Sequence, residues 1–147
     1  MKIEEESFGI IPLKQEAGVW QLLLILHQGG RHWAFPKGHA NPGETAVESA
    51  RRELKEETGL DVVKLLQDDP LTEQYQFYRK GALVVKTVHY FPALVSGEIK
   101  LQTEEIRDAK WVPLQDSMRH LTFKEAKEMC YKLINHLCHV LEEKTEN

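Results

Sequence analysis

Only two cysteines occur among the 147 residues, and no apolar run approaches the roughly 20 residues that a helix needs to cross a bilayer. Cys130 and Cys138 fall more than two helical turns apart in one helical pattern, too far to bridge within it. Reduced, buried thiols are expected, without a disulfide framework or a redox role. A cationic surplus is missing too: 19 Lys and Arg stand against 23 Asp and Glu, a formal net charge of -4. Nothing global draws such a chain to nucleic acid or to an anionic membrane, so neither a stable nucleic-acid partner nor a membrane is expected. A polyanionic substrate would need a metal or a few well-placed cations. The N-terminal segment MKIEEESFGIIPL is acidic where a secretory signal would be basic, which predicts a soluble, cytoplasmic protein.

What is present is an ordinary globular composition, 41% hydrophobic and 29% charged. The length suits one domain over residues 1–147 that buries roughly two-thirds of its unfolded surface, with no need of disulfide or metal to hold the fold. Ser7 to Leu13 and Val19 to His27 read as two strands across a polar turn at 15–18. From Gln28 to Glu44 four glycines and two prolines mark a long loop around the very short strand Trp33-Ala34-Phe35. Thr45 and Glu48 form a capping box and Gly59 a stop, enclosing a helix whose Ala46, Val47, Ala50 and Leu54 make one apolar face. Strands are expected at Val62 to Leu66, Glu73 to Tyr78, Leu83 to Val95 and Lys110 to Val112. A second capping box, Thr122 with Glu125, should open a C-terminal helix with Ala126, Cys130, Leu133, Leu137 and Leu141 facing the core. Helices covering a mixed sheet, an α+β or α/β layer arrangement, follow from this order.

The chemistry concentrates on the first helix. Glu53, Glu56 and Glu57 stand at i, i+3 and i+4, so their carboxylates leave from one side and repel one another. Hard oxygen ligands at that spacing suit Mg²⁺ or Mn²⁺, which would bridge them to substrate phosphates; the absence of Cys and His from the cluster makes zinc a poor candidate. A glutamate-rich helix by itself is more often a solvated, salt-bridged face. The loop attached to this one decides otherwise.

Gly38, Glu44, Arg52, Glu53, Leu54, Glu56, Glu57, Gly59 and Leu60 fill every specified position of G-x5-E-x7-R-E-U-x-E-E-x-G-U, where U is aliphatic. Here the sequence resembles the Nudix hydrolases, and a chance match is on the order of one in 10⁸ per starting point. The resemblance implies an α/β fold, the Nudix-type α/β/α sandwich with a central mixed sheet, formed as a single Nudix hydrolase domain over residues 1–147. It implies metal-activated water cutting a phosphoanhydride bond, with Glu53, Glu56 and Glu57 as metal ligands, one doubling as base, and the Gly38 carbonyl completing the shell. Arg52 and Glu44 match positions that brace the loop and orient the catalytic glutamate, although a purely structural ion pair reads equally well. A further carboxylate often comes from a loop before a late strand; Glu105 is the choice here and Glu104 the reserve. Sequence does not decide which glutamate is the base.

Outside the signature, His32-Trp33-Ala34-Phe35-Pro36-Lys37-Gly38-His39 and Lys86-Thr87-Val88-His89-Tyr90-Phe91 are similar to the asymmetrical dinucleoside tetraphosphate hydrolases of that family. This similarity implies diadenosine tetraphosphate split into ATP and AMP. His32, Lys37 and Lys86 could line a polyphosphate path. Tyr75, Phe77 and Tyr78, with Phe123 at the final helix, could stack on bases, while Tyr75, Phe77 and Tyr90 are individually more often sheet core than base platforms. Tyr78, beside a turn, is the first choice for stacking. The alternatives are a pyrophosphohydrolase acting on the RNA 5′ end or on nucleoside triphosphates, and a non-catalytic nucleotide-sensing Nudix module. The oligomeric state is not specified.

Overall fold

A computed structural model describes the backbone of residues 1–145 and the side chains of residues 1–137. Eight strands form one mixed sheet: β1 (Lys2–Glu16), β2 (Val19–His27), β3 (Trp33–Ala34), β4 (Lys37–Gly38), β5 (Asp61–Leu65), β6 (Leu71–Arg79), β7 (Ala82–Ser96) and β8 (Ile106–Pro113). β1 and β7 run parallel along Lys2–Leu13 and Leu83–Leu94, and the other pairings are antiparallel. On its second edge β1 meets β4 at Phe8 and Gly9 and β2 at Leu13 to Glu16; β2 passes the sheet on to β8.

The hydrophobic pattern explains why this sheet is covered twice. Along β2, Leu22 and Leu24 point into one cluster with Leu133 and Leu137, whereas Leu23 and Ile25 point into another with Ala50 and Leu54. A strand buried on both faces is a continuous apolar run. Helix α1 (Ala46–Thr58) covers one face; α2 (Ser117–His120) and α3 (Lys124–Thr145) cover the other. The result is the expected α/β/α sandwich. Each fully buried leucine such as Leu54 contributes about 1.5–3 kcal/mol relative to exposure.

α1 ends where its caps say. The Thr45 hydroxyl accepts from the Glu48 amide and the Glu48 carboxylate accepts from the Thr45 amide, and Gly59 closes the helix in the left-handed conformation at φ 81°. Other boundaries shift. β1 begins at Lys2 instead of Ser7, because pairing with β7 carries Glu4 to Glu6 into the sheet despite their charge. β8 starts at Ile106 instead of Lys110, and β4 forms inside the presumed loop. α3 starts at Lys124, one residue beyond the start a Thr122 cap would give, and the Lys127 amide donates to the Phe123 carbonyl. Cys130 is buried and free, as expected. The side chains of Cys138 and Leu141 lie outside the described residues. No helix among the described residues is long and apolar enough to cross a membrane.

Candidate active site

Arg52 organises the turn before α1. Its Nε and Nη2 grip Glu44 at 2.8 and 3.0 Å, its Nη2 also reaches the His39 carbonyl at 2.8 Å, and its Nη1 serves Glu53 at 3.0 Å and Glu56 at 3.1 Å. Five N–H groups thus meet five acceptors, a fork geometry that lysine could not copy. Glu44 in turn accepts from the Asn41 amide at 2.7 Å and the Ser49 hydroxyl at 3.1 Å. The Arg52 guanidinium, helped by the Asn41 amide, holds the Glu44 carboxyl down at about 2. The loop from His39 to Glu44 is therefore clamped to the helix.

The three helix carboxylates differ in burial. Glu57 is 4% exposed, the Glu53 side chain 15% and the Glu56 side chain 56%. Burial pushes the Glu57 carboxyl up to about 8, the Glu53 and Glu105 charges add to this, and Lys37 opposes it. Burial raises Glu53 as well, against the pull of Arg52. One oxygen of Glu57, Oε2, is buried without a hydrogen-bond partner. A Cβ built on Gly38 would overlap the Glu53 carboxylate, so only glycine lets that group lie against the β4 backbone. Glu105 sits in the turn before β8, fixed by its amide's bond to the Gln102 side chain at 2.7 Å and by its carbonyl's bond from the Gln28 amide at 2.7 Å. Its charge acts on both Glu53 and Glu57.

Among the described residues, no three His, Cys, Asp or Glu side chains are already drawn together as a metal cluster, since Arg52 holds Glu53 and Glu56. The donor set nevertheless fits a hard divalent cation. It consists of oxygen alone, includes an unsatisfied buried carboxylate atom, and adjoins a backbone position kept open by Gly38.

On the other side of β4 lies a cavity of about 480 Å³, lined among others by His32, Lys37, Glu73, Tyr75, Phe77 and Phe123. Lys37 Nζ donates to the Tyr75 hydroxyl at 3.3 Å, and burial lowers its pKa against the pull of Glu73 and Glu57. Tyr75 stacks on Phe77 at 6.0 Å, while His32 leans on the exposed Phe123 at 4.6 Å. Lys86 faces Tyr75 across β6 and β7, so its charge acts on the same hydroxyl from outside the cavity lining. The fold thus brings together His32, Lys37, Tyr75 and Phe123, with Lys86 adjacent. It does not bring Tyr78: strand alternation turns Tyr78 outward, 76% exposed, while Glu73, Tyr75 and Phe77 turn inward. Glu73 escaped the sequence reading, although the same alternation would have found it.

A NUDIX domain description matches residues 5–133. The bis(5'-nucleosyl)-tetraphosphatase [asymmetrical] of Mus musculus is 32% identical over 132 residues, covering 88% of each chain. An RNA pyrophosphohydrolase of Nitratiruptor sp. is 33% identical over 100 residues, covering 62% of this chain and 64% of its own. Among solved structures, a C. elegans Ap4A hydrolase matches with a TM-score of 0.70 at 26% identity, over 92% of this chain and 99% of that one. A clamped glutamate helix, a matching sandwich and a family match spanning most of the length agree: this chain belongs to the NUDIX family.

Proposed function

We propose that the protein hydrolyses a phosphoanhydride bond in dinucleoside polyphosphates, with diadenosine tetraphosphate split into ATP and AMP as the reaction to test. The observation that carries this reading is the junction at Lys37 and Gly38: Lys37 is a half-buried cation in a cavity with aromatic walls, and Gly38 adjoins the carboxylate helix. The similarity to the mouse tetraphosphatase spans 88% of the chain, and that to the RNA pyrophosphohydrolase 62%. This favours the dinucleoside substrate, as does the net charge of -4.

In this reading Glu53, Glu56, Glu57 and the Gly38 carbonyl hold Mg²⁺, or Mn²⁺ in its place, with Glu105 reinforcing the acidic site from the β8 side. When bound, such a cation would supply Lewis acidity, offsetting charge on the phosphates and making water easier to deprotonate. The chain's own residues do the rest. Arg52 and Glu44 keep the loop and Glu53 in position. A glutamate of the helix takes the water's proton, and Lys37, Lys86 and His32 attract the phosphate chain. Tyr75 and Phe123 receive a base.

The test is incubation of the purified protein with diadenosine tetraphosphate and Mg²⁺ in ¹⁸O-water, with products separated and weighed. ATP and AMP are expected, and the label identifies the phosphorus attacked. Two ADP products, or turnover confined to 5′-triphosphate RNA in a parallel panel, would reject the reading.

A further inference from the structure

Two acidic side chains that hydrolysis does not use line the cavity, Glu73 from β6 and Glu125 from the first turn of α3. Glu73 lies on the inward face of β6 with Tyr75 and Phe77, and its charge is felt by the buried Tyr90 and Cys130. It lines the cavity together with the buried Tyr90, while His32 and Phe123 of the same lining are exposed. Among the described residues it meets no hydrogen-bond donor and no cation within ion-pair distance; Lys37, in the same cavity, donates to Tyr75 instead. A half-buried carboxylate that has no protein partner and is set beside aromatic side chains can accept hydrogen bonds from a ligand that brings donors.

We propose that Glu73 makes this cavity selective for guanine, its two carboxylate oxygens accepting from the adjacent N1–H and 2-amino groups of a purine stacked beside Tyr75 and Phe77. This rests on the reading above that the cavity receives a nucleobase. A carboxylate is acceptor-only, and guanine is the purine that sets two donors side by side on one edge. Adenine offers one donor next to an acceptor nitrogen, which leaves one oxygen unsatisfied and facing a lone pair. An amide has the pattern that matches adenine, one donor beside one acceptor. Burial raises the Glu73 carboxyl, Lys37 opposes this and the Glu125 charge adds to it.

The experiment compares Glu73→Gln with the unaltered protein on diguanosine and diadenosine tetraphosphate, by kcat/KM with Mg²⁺. Binding of GTP and ATP in EDTA is followed in parallel through intrinsic tryptophan fluorescence, to which Trp33 of the cavity lining contributes. Circular dichroism and thermal melting check that both proteins fold, and Glu73→Ala serves as a second variant. The unaltered protein should favour guanine about tenfold in both assays, Glu73→Gln should favour adenine, and Glu73→Ala should favour neither. If diadenosine tetraphosphate is hydrolysed but the substitutions leave the base ratio unchanged, the selectivity proposal falls and the hydrolase reading stands. If neither tetraphosphate is turned over yet Glu73→Gln inverts the GTP-to-ATP binding ratio, the reverse holds. Absence of nucleotide binding overturns the proposal.

Discussion

At the scale of single residues, Arg52 acts as a strut. With its five N–H groups on Glu44, Glu53, Glu56 and the His39 carbonyl, it has no donor left for a substrate. Glu44 carries the pH signature of that role. Its carboxyl is depressed to about 2, so the stability it lends is fully present above its ordinary value of 4.5 and is lost as pH falls through about 2. Glu44→Gln should accordingly flatten the stability profile between about pH 4.5 and 2, as read by urea unfolding at each pH. An unchanged slope would mean that the pair is idle. The spacing of Glu44, Arg52, Glu53, Glu56 and Glu57 was legible because a signature fixes each by number. The hydroxyl of Ser49 and the amide of Asn41, which complete the Glu44 cage, were not, since they carry no mark in sequence. Tyr78 was chosen from its nearness to a turn; alternation along β6 outweighs that and selects Glu73, Tyr75 and Phe77.

At the scale of elements, α1 was readable from its ends because caps are local chemistry, satisfied within a few residues of chain. Strand extents depend on distant partners. The acidic start of β1 becomes strand only through β7, some eighty residues away, and β4 exists only because β1 offers an edge at Phe8 and Gly9. α3 likewise starts one residue later than its capping pattern suggested. The contact between β4 and α1 is where the elements meet the chemistry. Gly38→Ala should push the Glu53 carboxylate away and lower kcat by about a hundredfold. Its stability cost should stay near about 1–3 kcal/mol, typical of overpacking. Equal and small losses in both quantities would show that Glu53 has room to retreat.

At the scale of the whole molecule, a sandwich that keeps Glu57 buried and Glu53 largely out of solvent should gain stability from a cation bound there. At a hundredfold excess over its dissociation constant, Mg²⁺ should contribute about 2.7 kcal/mol. That corresponds to a rise in Tm of roughly 5–10 °C for a domain of this size. Glu57 sets the direction with pH. Its carboxyl is raised to about 8, so the stability of the protonated form is present below its ordinary value and fades as pH rises through about 8. The Mg²⁺ shift should be larger at pH 8 than at pH 6. Glu57→Gln should melt no lower than the unaltered protein without Mg²⁺, respond weakly to it, and lose turnover. A full Mg²⁺ shift in that variant would remove Glu57 from the ligand set. The two-residue strand β4 has a further consequence. Since neighbouring strand residues face opposite ways and their Cα atoms are about 3.8 Å apart, Lys37 and Gly38 act as a caliper between recognition and scission. Changes in β6 or α3 can retune which base is held without moving the bond that is cut. Inserting a single residue between Lys37 and Gly38 would break that calibration, so new specificities in such a scaffold should arise on the cavity walls and leave this dipeptide untouched.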